Sequence, residues 1–241
     1  MTDFTTDDFL GGKIKLKQPV NGYRATSDAV LLAAAVDENA RSVLDAGAGT
    51  GAVSLCVAAR CAGATVCGIE VQPEMVGLAR ENISLNGLQD RVSVVCQDIR
   101  TFPSPVPTGV FDWVVTNPPF IVEDQVSPSK IRDVAHREAG CSLAQWTASC
   151  LRYVGPHGYF SMINRADRLP EILSLLYGKI GGIRIIPVWT KQGRAAKRVI
   201  VTGRKGSRSP AVLEEGVVLT GRDGKRTEKA EGIMRAGKSL I

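Results

Sequence analysis

Ser42-Val43-Leu44-Asp45-Ala46-Gly47-Ala48-Gly49-Thr50-Gly51-Ala52-Val53-Ser54-Leu55 is the stretch that decides the fold. The apolar run ending at Asp45 reads as a buried strand, and residues 52–61 carry apolar positions at helical spacing. Between them, Gly47, Gly49 and Gly51 form a turn whose backbone can take positive φ and approach a ligand closely. Strand, glycine turn and helix open an α/β sheet, and polar ligands bind where such strands end.

Working outward, strand and helix signals keep alternating. A strand is predicted over 65–70, then a helix that starts on Pro73 and ends near Asn86-Gly87, where glycine supplies a left-handed cap. Residues 92–96 and 110–116 are β-branched apolar runs of buried-strand type, separated by a loop with Pro103, Pro105, Pro107 and Gly109. Pro118-Pro119 stops the second run, and 123–141 reads as polar loop. Ser142 opens a helix to 154, 159–163 is a strand, and Asp167 caps a helix to 177. A strand over 183–189 pairs as a hairpin with 198–202 across the basic loop 191–197. Beyond Gly203 come a flexible Gly/Ser/Arg stretch, a strand over 217–220, a tight turn at Arg222-Asp223-Gly224 and a short helix from Glu228. Upstream, Ser27 caps a helix over 29–36. The expected fold is α/β, a doubly wound and mainly parallel sheet with a terminal antiparallel hairpin, Rossmann-like in class. One domain is expected over 1–241, with an N-terminal segment and helix at 1–41, a core at 42–203 and a basic extension at 204–241.

Composition excludes several classes. The chain has 241 residues, 44% of them hydrophobic and 22% charged, as in an ordinary globular protein. Its longest apolar helical candidate, 29–36, is far too short for a bilayer. The acidic start Met1-Thr2-Asp3-Phe4-Thr5-Thr6-Asp7-Asp8 lacks the order of a signal peptide, so a cytoplasmic protein without membrane partner is expected. Six cysteines show no C-x-x-C spacing, and only His136 and His157 accompany them. The cysteines read as small core residues, the histidines as loop or surface residues, and no metal site is expected. From Lys191 onward there are 13 Lys+Arg against 5 Asp+Glu, whereas the rest of the chain is slightly acidic. That asymmetry points to a polyanionic partner at the C-terminal end.

The glycine turn alone leaves two readings. Gly47, Gly49 and Ala52 satisfy the dinucleotide fingerprint G-x-G-x-x-G/A, and Glu70 at the end of the next strand suits ribose hydroxyls in either case. Three features separate them. Asp45 would repel a pyrophosphate but can face an ammonium group. Asp98, after the third strand, can accept a hydrogen bond from an exocyclic amine. Asn117-Pro118-Pro119-Phe120 follows the fourth strand and has no place in a dehydrogenase. Together with Ala79-Arg80-Glu81-Asn82, these residues resemble the motif series of the S-adenosylmethionine-dependent methyltransferases.

The Asn-Pro-Pro-Phe segment suits a planar nitrogen whose lone pair is delocalised. The Asn117 side-chain oxygen and the Pro118 carbonyl can hold its two hydrogens, the prolines stiffen both, and Phe120 can stack on the ring. No strong general base is needed. DNA adenine, RNA adenine and protein glutamine all meet these requirements; a non-catalytic RNA-binding module is a further reading, disfavoured by four intact polar motif residues. Gln18 to Asp28, Ala135-His136-Arg137-Glu138, Ala195-Ala196-Lys197-Arg198 and Gly203 to Arg208 resemble the bacterial adenine-N6 methyltransferases of valine tRNA over nearly the whole chain. The resemblance implies S-adenosylmethionine as cofactor and tRNA as partner. It implies Tyr23, Arg24, Asp28, Asp45, Gly47, Gly49, Gly51, Glu70 and Asp98 at the cofactor. Asn117, Pro118, Pro119 and Phe120 would then be catalytic; the basic excess near the C-terminal end makes Lys197, Arg198, Arg204, Lys205 and Arg208 the expected RNA-binding residues. Many relatives carry Tyr where this chain has Phe120, which keeps the stacking and drops a hydroxyl.

Overall fold

Every second residue of the central strands faces the same side, and that alternation builds two cores around one sheet. The computed structural model describes residues 3–22, 24–118 and 141–240. Five parallel strands come first: β3 (Ser42–Ala46), β4 (Thr65–Glu70), β5 (Val92–Cys96), β6 (Phe111–Thr116) and β7 (Val154–Arg165). They lie in the order β5-β4-β3-β6-β7, so the strand order reverses between β3 and β6. Val43, Val66, Trp113 and Val115 face one side, against α1 (Ser27–Ala34), α2 (Ala52–Arg60) and α3 (Pro73–Leu85). Leu44, Ile69, Val114, Phe160 and Met162 face the other, against α4 (Leu143–Tyr153) and α5 (Leu169–Leu176). The sheet is therefore doubly wound, as expected.

The antiparallel hairpin is present beyond β7. β8 (Ile180–Lys191) and β9 (Arg198–Lys205) pair antiparallel, β9 also pairs antiparallel with β7, and β10 (Val212–Leu213) and β11 (Val217–Thr220) add to β8 in parallel. This order fixes directions. The carboxyl ends of β3–β8 and β11, and the start of β9, all lie at one edge of the sheet.

Several boundaries differ from expectation. Thr26, not Ser27, caps α1, its hydroxyl accepting from the Asp28 N–H at 3.3 Å. Asp167 caps nothing, because its carboxylate is held by the Arg165 guanidinium; α5 starts two residues later, with proline in its first turn. β7 and β8 are longer than expected. Arg204 and Lys205 lie inside β9 rather than in a flexible stretch. An N-terminal hairpin, β1 (Phe4–Phe9) with β2 (Ile14–Pro19), was not foreseen. Asn82 on α3 and Asn86 at its C-cap pin it: each side-chain oxygen accepts from, and each amide donates to, the backbone of Lys17 or Lys15. Residues after β11 form α6 (Glu228–Glu231) and a wide turn, and Leu240 returns to α1 through its N–H to Ala34 O at 2.9 Å. Four of the six cysteines are buried, and burial pushes the Cys56 thiol up to about 12.

Candidate active site

The four adjacent strands β6, β3, β4 and β5 end side by side, and the polar motif residues sit on or just beyond those ends. Gly47, Gly49 and Gly51 take φ of +78°, +54° and +84°, which lets the chain turn sharply from β3 into α2. The turn is fastened to the next strand, as Gly47 and Ala48 N–H both donate to Ile69 O at 2.9 and 3.0 Å. Glu70 completes the fastening. Its Oε2 accepts from Gly49 N–H at 2.9 Å, and its Oε1 accepts from Val71 and Gln72 N–H, each at 2.9 Å. Asn82 supports the same turn, its amide donating to Thr50 O at 3.0 Å.

Asp45 lies beneath this turn and is 1% exposed. Its Oδ2 accepts from the Ser54 N–H at 3.0 Å and hydroxyl at 2.7 Å, so it satisfies one of the open donors in the first turn of α2. Its Oδ1 is buried without a hydrogen-bond donor among the described residues. Burial raises its pKa to about 6; the Ser54 hydrogen bonds pull the other way, and the Glu70 charge adds to the rise. Asp98 is opposite in character. The Arg100 guanidinium grips both of its oxygens at 2.6–3.0 Å and holds its pKa below the usual carboxylate range, against the effect of burial. The acceptor expected for an exocyclic amine therefore already carries a cation, a partner the motif reading missed.

Asn117 and Pro118 follow the last residue of β6, whose Thr116 is in register with Ala46 of β3. Pro119, Phe120, His136 and Tyr23, and the polar loop expected over 123–141 up to residue 140, lie outside the described residues. Trp146 of α4, which sequence reasoning passed over, stands beside both motifs. Its indole N–H donates to Thr116 Oγ1 at 2.9 Å, and a Cβ added to Gly47 would lie 3.0 Å from its ring. Arg24 turns to the N-terminal hairpin, with Nη1 donating to Pro19 O at 2.7 Å and Nη2 bonded to Asp7. Asp28 is buried and paired to Arg198 at 2.9 Å, which joins the start of α1 to the start of β9.

The expected RNA-binding residues separate into two groups. Lys197 is exposed in the β8–β9 loop, at the edge that carries Asn117. Arg198 is beside it, held by Asp28. Arg204, Lys205 and Arg208 are at the opposite edge, since β9 runs about 23 Å from Arg198 to Lys205 at ~3.3 Å per residue. Arg204 donates to His157 O at 2.8 Å. Lys205 donates to Val154 O at 2.7 Å, binding the carboxyl end of α4. Arg208 is exposed, as is His157. Among the described residues no group of three metal-ligating side chains is assembled, and no helix is long and apolar enough to cross a membrane.

This geometry agrees with three comparisons. Residues 25–144 match the family described as methyltransferase small domain. A tRNA1(Val) (adenine(37)-N6)-methyltransferase of Phocaeicola vulgatus is 34% identical over 178 residues, covering 73% of this chain and 74% of that one. Its namesake from Glaesserella parasuis is 32% identical over 183 residues, covering 74% and 75%. A crystal structure described as a predicted O-methyltransferase from Agrobacterium tumefaciens superposes with a TM-score of 0.74 at 25% identity, covering 89% of this chain and 98% of that one. With its glycine turn, its strand-end carboxylates and its Asn-Pro-Pro-Phe segment on a doubly wound sheet, the chain belongs to the family of the tRNA1(Val) (adenine(37)-N6)-methyltransferases.

Proposed function

We propose that this protein transfers a methyl group from S-adenosylmethionine to the exocyclic N6 of an adenine in tRNA. The observation that carries the reading is the convergence of Asp45, Glu70, Asp98 and Asn117 at the ends of four neighbouring strands, on both sides of the switch point. Two features fit the cofactor. Asp45 keeps a buried oxygen with no donor among the described residues, suited to an ammonium group directly or through water. The turn takes positive φ at Gly47, Gly49 and Gly51 and has no side chain at these three positions to hold a ligand off its backbone. When bound, S-adenosylmethionine supplies a sulfonium methyl group open to in-line displacement. Glu70 Oε2 accepts one N–H bond and keeps a lone pair for a ribose hydroxyl, and Asp98 accepts the adenine amine beside its Arg100 partner.

On the substrate side, the Asn117 carbonyl and the Pro118 carbonyl hold the two amine hydrogens and draw the nitrogen lone pair out of conjugation. Phe120 and Pro119 provide the stacking wall. Asn117 removes no proton itself; the nitrogen becomes acidic as the new bond forms. Arg24 and Asp28 act here as wall-builders, since both are engaged by the hairpin or by Arg198.

The partner is reached through the same edge. Lys191 at the end of β8, Arg194 and Lys197 in the β8–β9 loop, and Arg222 and Lys225 in the turn after β11 are exposed and have no carboxylate partner among the described residues. The two turns are joined by Gln192 N–H donating to Thr220 O at 2.9 Å, and Asp223 is the one acidic residue in them. Such a rim suits a phosphate backbone delivering a base to Asn117. Protein glutamine, the second substrate class, has no use for it. The test is incubation with labelled cofactor and total tRNA, followed by mass spectrometry of the nucleosides. N6-methyladenosine confirms the proposal; label in protein, or in another nucleoside, refutes it.

A further inference from the structure

We infer that Trp146 is a positioning residue for methyl transfer, fixing the strand end that carries Asn117 in register with the glycine turn that carries the cofactor residues. The inference rests on the methyltransferase reading above. Two loops must hold the methyl donor and the accepting nitrogen at a fixed separation, yet they leave different strands. The backbone ladder between β3 and β6 ends at Ala46 and Thr116. Beyond that last rung the tie is made by side chains. Thr116 Oγ1 donates to Ala46 O at 2.9 Å and accepts from Trp146 Nε1 at 2.9 Å. Thr116 is fully buried, so a hydrogen bond lost from its hydroxyl is costly.

The indole is itself held firmly. It stands on the first turn of α4, which opens with reciprocal hydrogen bonds between Ser142 and Gln145. Leu143, Cys150 and Tyr153 anchor that helix in the core. The ring edge also packs on Gly47, where an added Cβ would lie 3.0 and 3.1 Å from two ring carbons. One side chain thus touches the glycine turn by its ring and the catalytic strand by its N–H. A ring that only filled space would need no donor, and a donor that only satisfied Thr116 would need no contact with Gly47.

Removing the N–H while keeping a ring, as in Trp146→Phe, lets the two loops drift by fractions of an ångström. Misplacement of this kind lowers turnover by on the order of ten- to a hundredfold. Trp146→Phe and Thr116→Val are each expected to lower kcat by that factor, with cofactor affinity measured by calorimetry within about threefold of native. Thr116→Ser keeps the hydroxyl and should retain native kcat. Since the two residues act as one link, the double variant should be no slower than the slower single variant. Without any RNA present, S-adenosylhomocysteine should alter the tryptophan emission of the native protein, and Trp146→Phe should lose most of that change while still binding. Native kcat in Trp146→Phe, or single losses that multiply in the double variant, would overturn the inference, as would loss of turnover accompanied by an equal loss in Thr116→Ser. A native protein that shows the emission change but methylates no RNA refutes the substrate reading and leaves the Trp146 contact to the cofactor turn standing.

Discussion

Asp45→Asn isolates the charge buried under the glycine turn. The native carboxyl moves from an ordinary 3.8 to about 6 on folding, chiefly by burial. Between those values the folded protein holds a proton that the unfolded chain has released, so stability falls as pH rises through the window and is flat above about 6. At about 1.36 kcal/mol per pKa unit, ionised Asp45 destabilises the ligand-free protein by about 3 kcal/mol. Asparagine keeps an oxygen for the Ser54 N–H and hydroxyl but places an unsatisfied NH2 where Oδ1 was, at a cost of about 1–3 kcal/mol. The two effects make a crossover. At pH 4 the variant should be equal to or weaker than the native protein. Above pH 6 the difference should have moved by about 3 kcal/mol in the variant's favour. The assay is urea unfolding of both proteins from pH 4 to 8, without cofactor. Other titrating groups cancel in the difference between the two curves. A difference that stays constant with pH would refute the argument that Asp45 is a buried and strained charge. With S-adenosylmethionine added the order should reverse, because the cofactor's ammonium stabilises the carboxylate and not the amide, by about 1.5–3 kcal/mol for a charge-assisted hydrogen bond.

Replacing Lys191, Arg194 and Lys197 together by Ala should weaken tRNA binding and flatten its salt dependence by up to about three phosphate contacts, while Arg208→Ala leaves the slope as it was; filter binding at several salt concentrations reads both. Asn117→Ala should abolish most turnover with cofactor affinity within a few-fold, and Phe120→Tyr should stay active where Phe120→Ala does not, as single-turnover rates will show. Arg100→Ala removes the cation on Asp98, so the Asp98 carboxyl should return upward toward its ordinary range in a carboxyl NMR titration.

The parallel strands were legible because they are largely buried on both faces and read as mainly apolar runs such as Trp113-Val114-Val115. The N-terminal hairpin was not, although half of its signal was visible. Ile14, Leu16 and Gln18 are buried while Lys15 is exposed, a period-two pattern; β1, however, is polar and mostly exposed and reads as an acidic tail. Its docking depends on Asn82 and Asn86, side chains more than 60 residues away, which no local pattern predicts. Trp146 was passed over for a related reason. An aromatic residue on an amphipathic helix reads as core, and its contact with Gly47 exists only once α4 is laid across the end of β3.

Strand direction, which composition does not carry, decides where the basic residues lie. Counting charges puts the positive excess from Lys191 onward and treats Lys197, Arg198, Arg204, Lys205 and Arg208 as one patch. Antiparallel pairing of β9 with β7 and β8 divides them, because seven residues along a strand cross the whole sheet. Arg198 and Lys205 have internal partners, Asp28 and the carbonyls ending α4. What replaces them comes from the next connection: β11 runs parallel to β8, so Arg222 and Lys225 arrive at the edge that already carries Lys191, Arg194 and Lys197. A polyanion held there lies two strand spacings and more from the end of β6, about 10–20 Å. That offset suits a base turned out of a folded RNA toward Asn117 while its backbone stays on the rim. It gives the triple Lys191, Arg194, Lys197 variant its force, since those residues lie at the edge that carries Asn117 while Arg208, tested beside them, lies at the opposite edge.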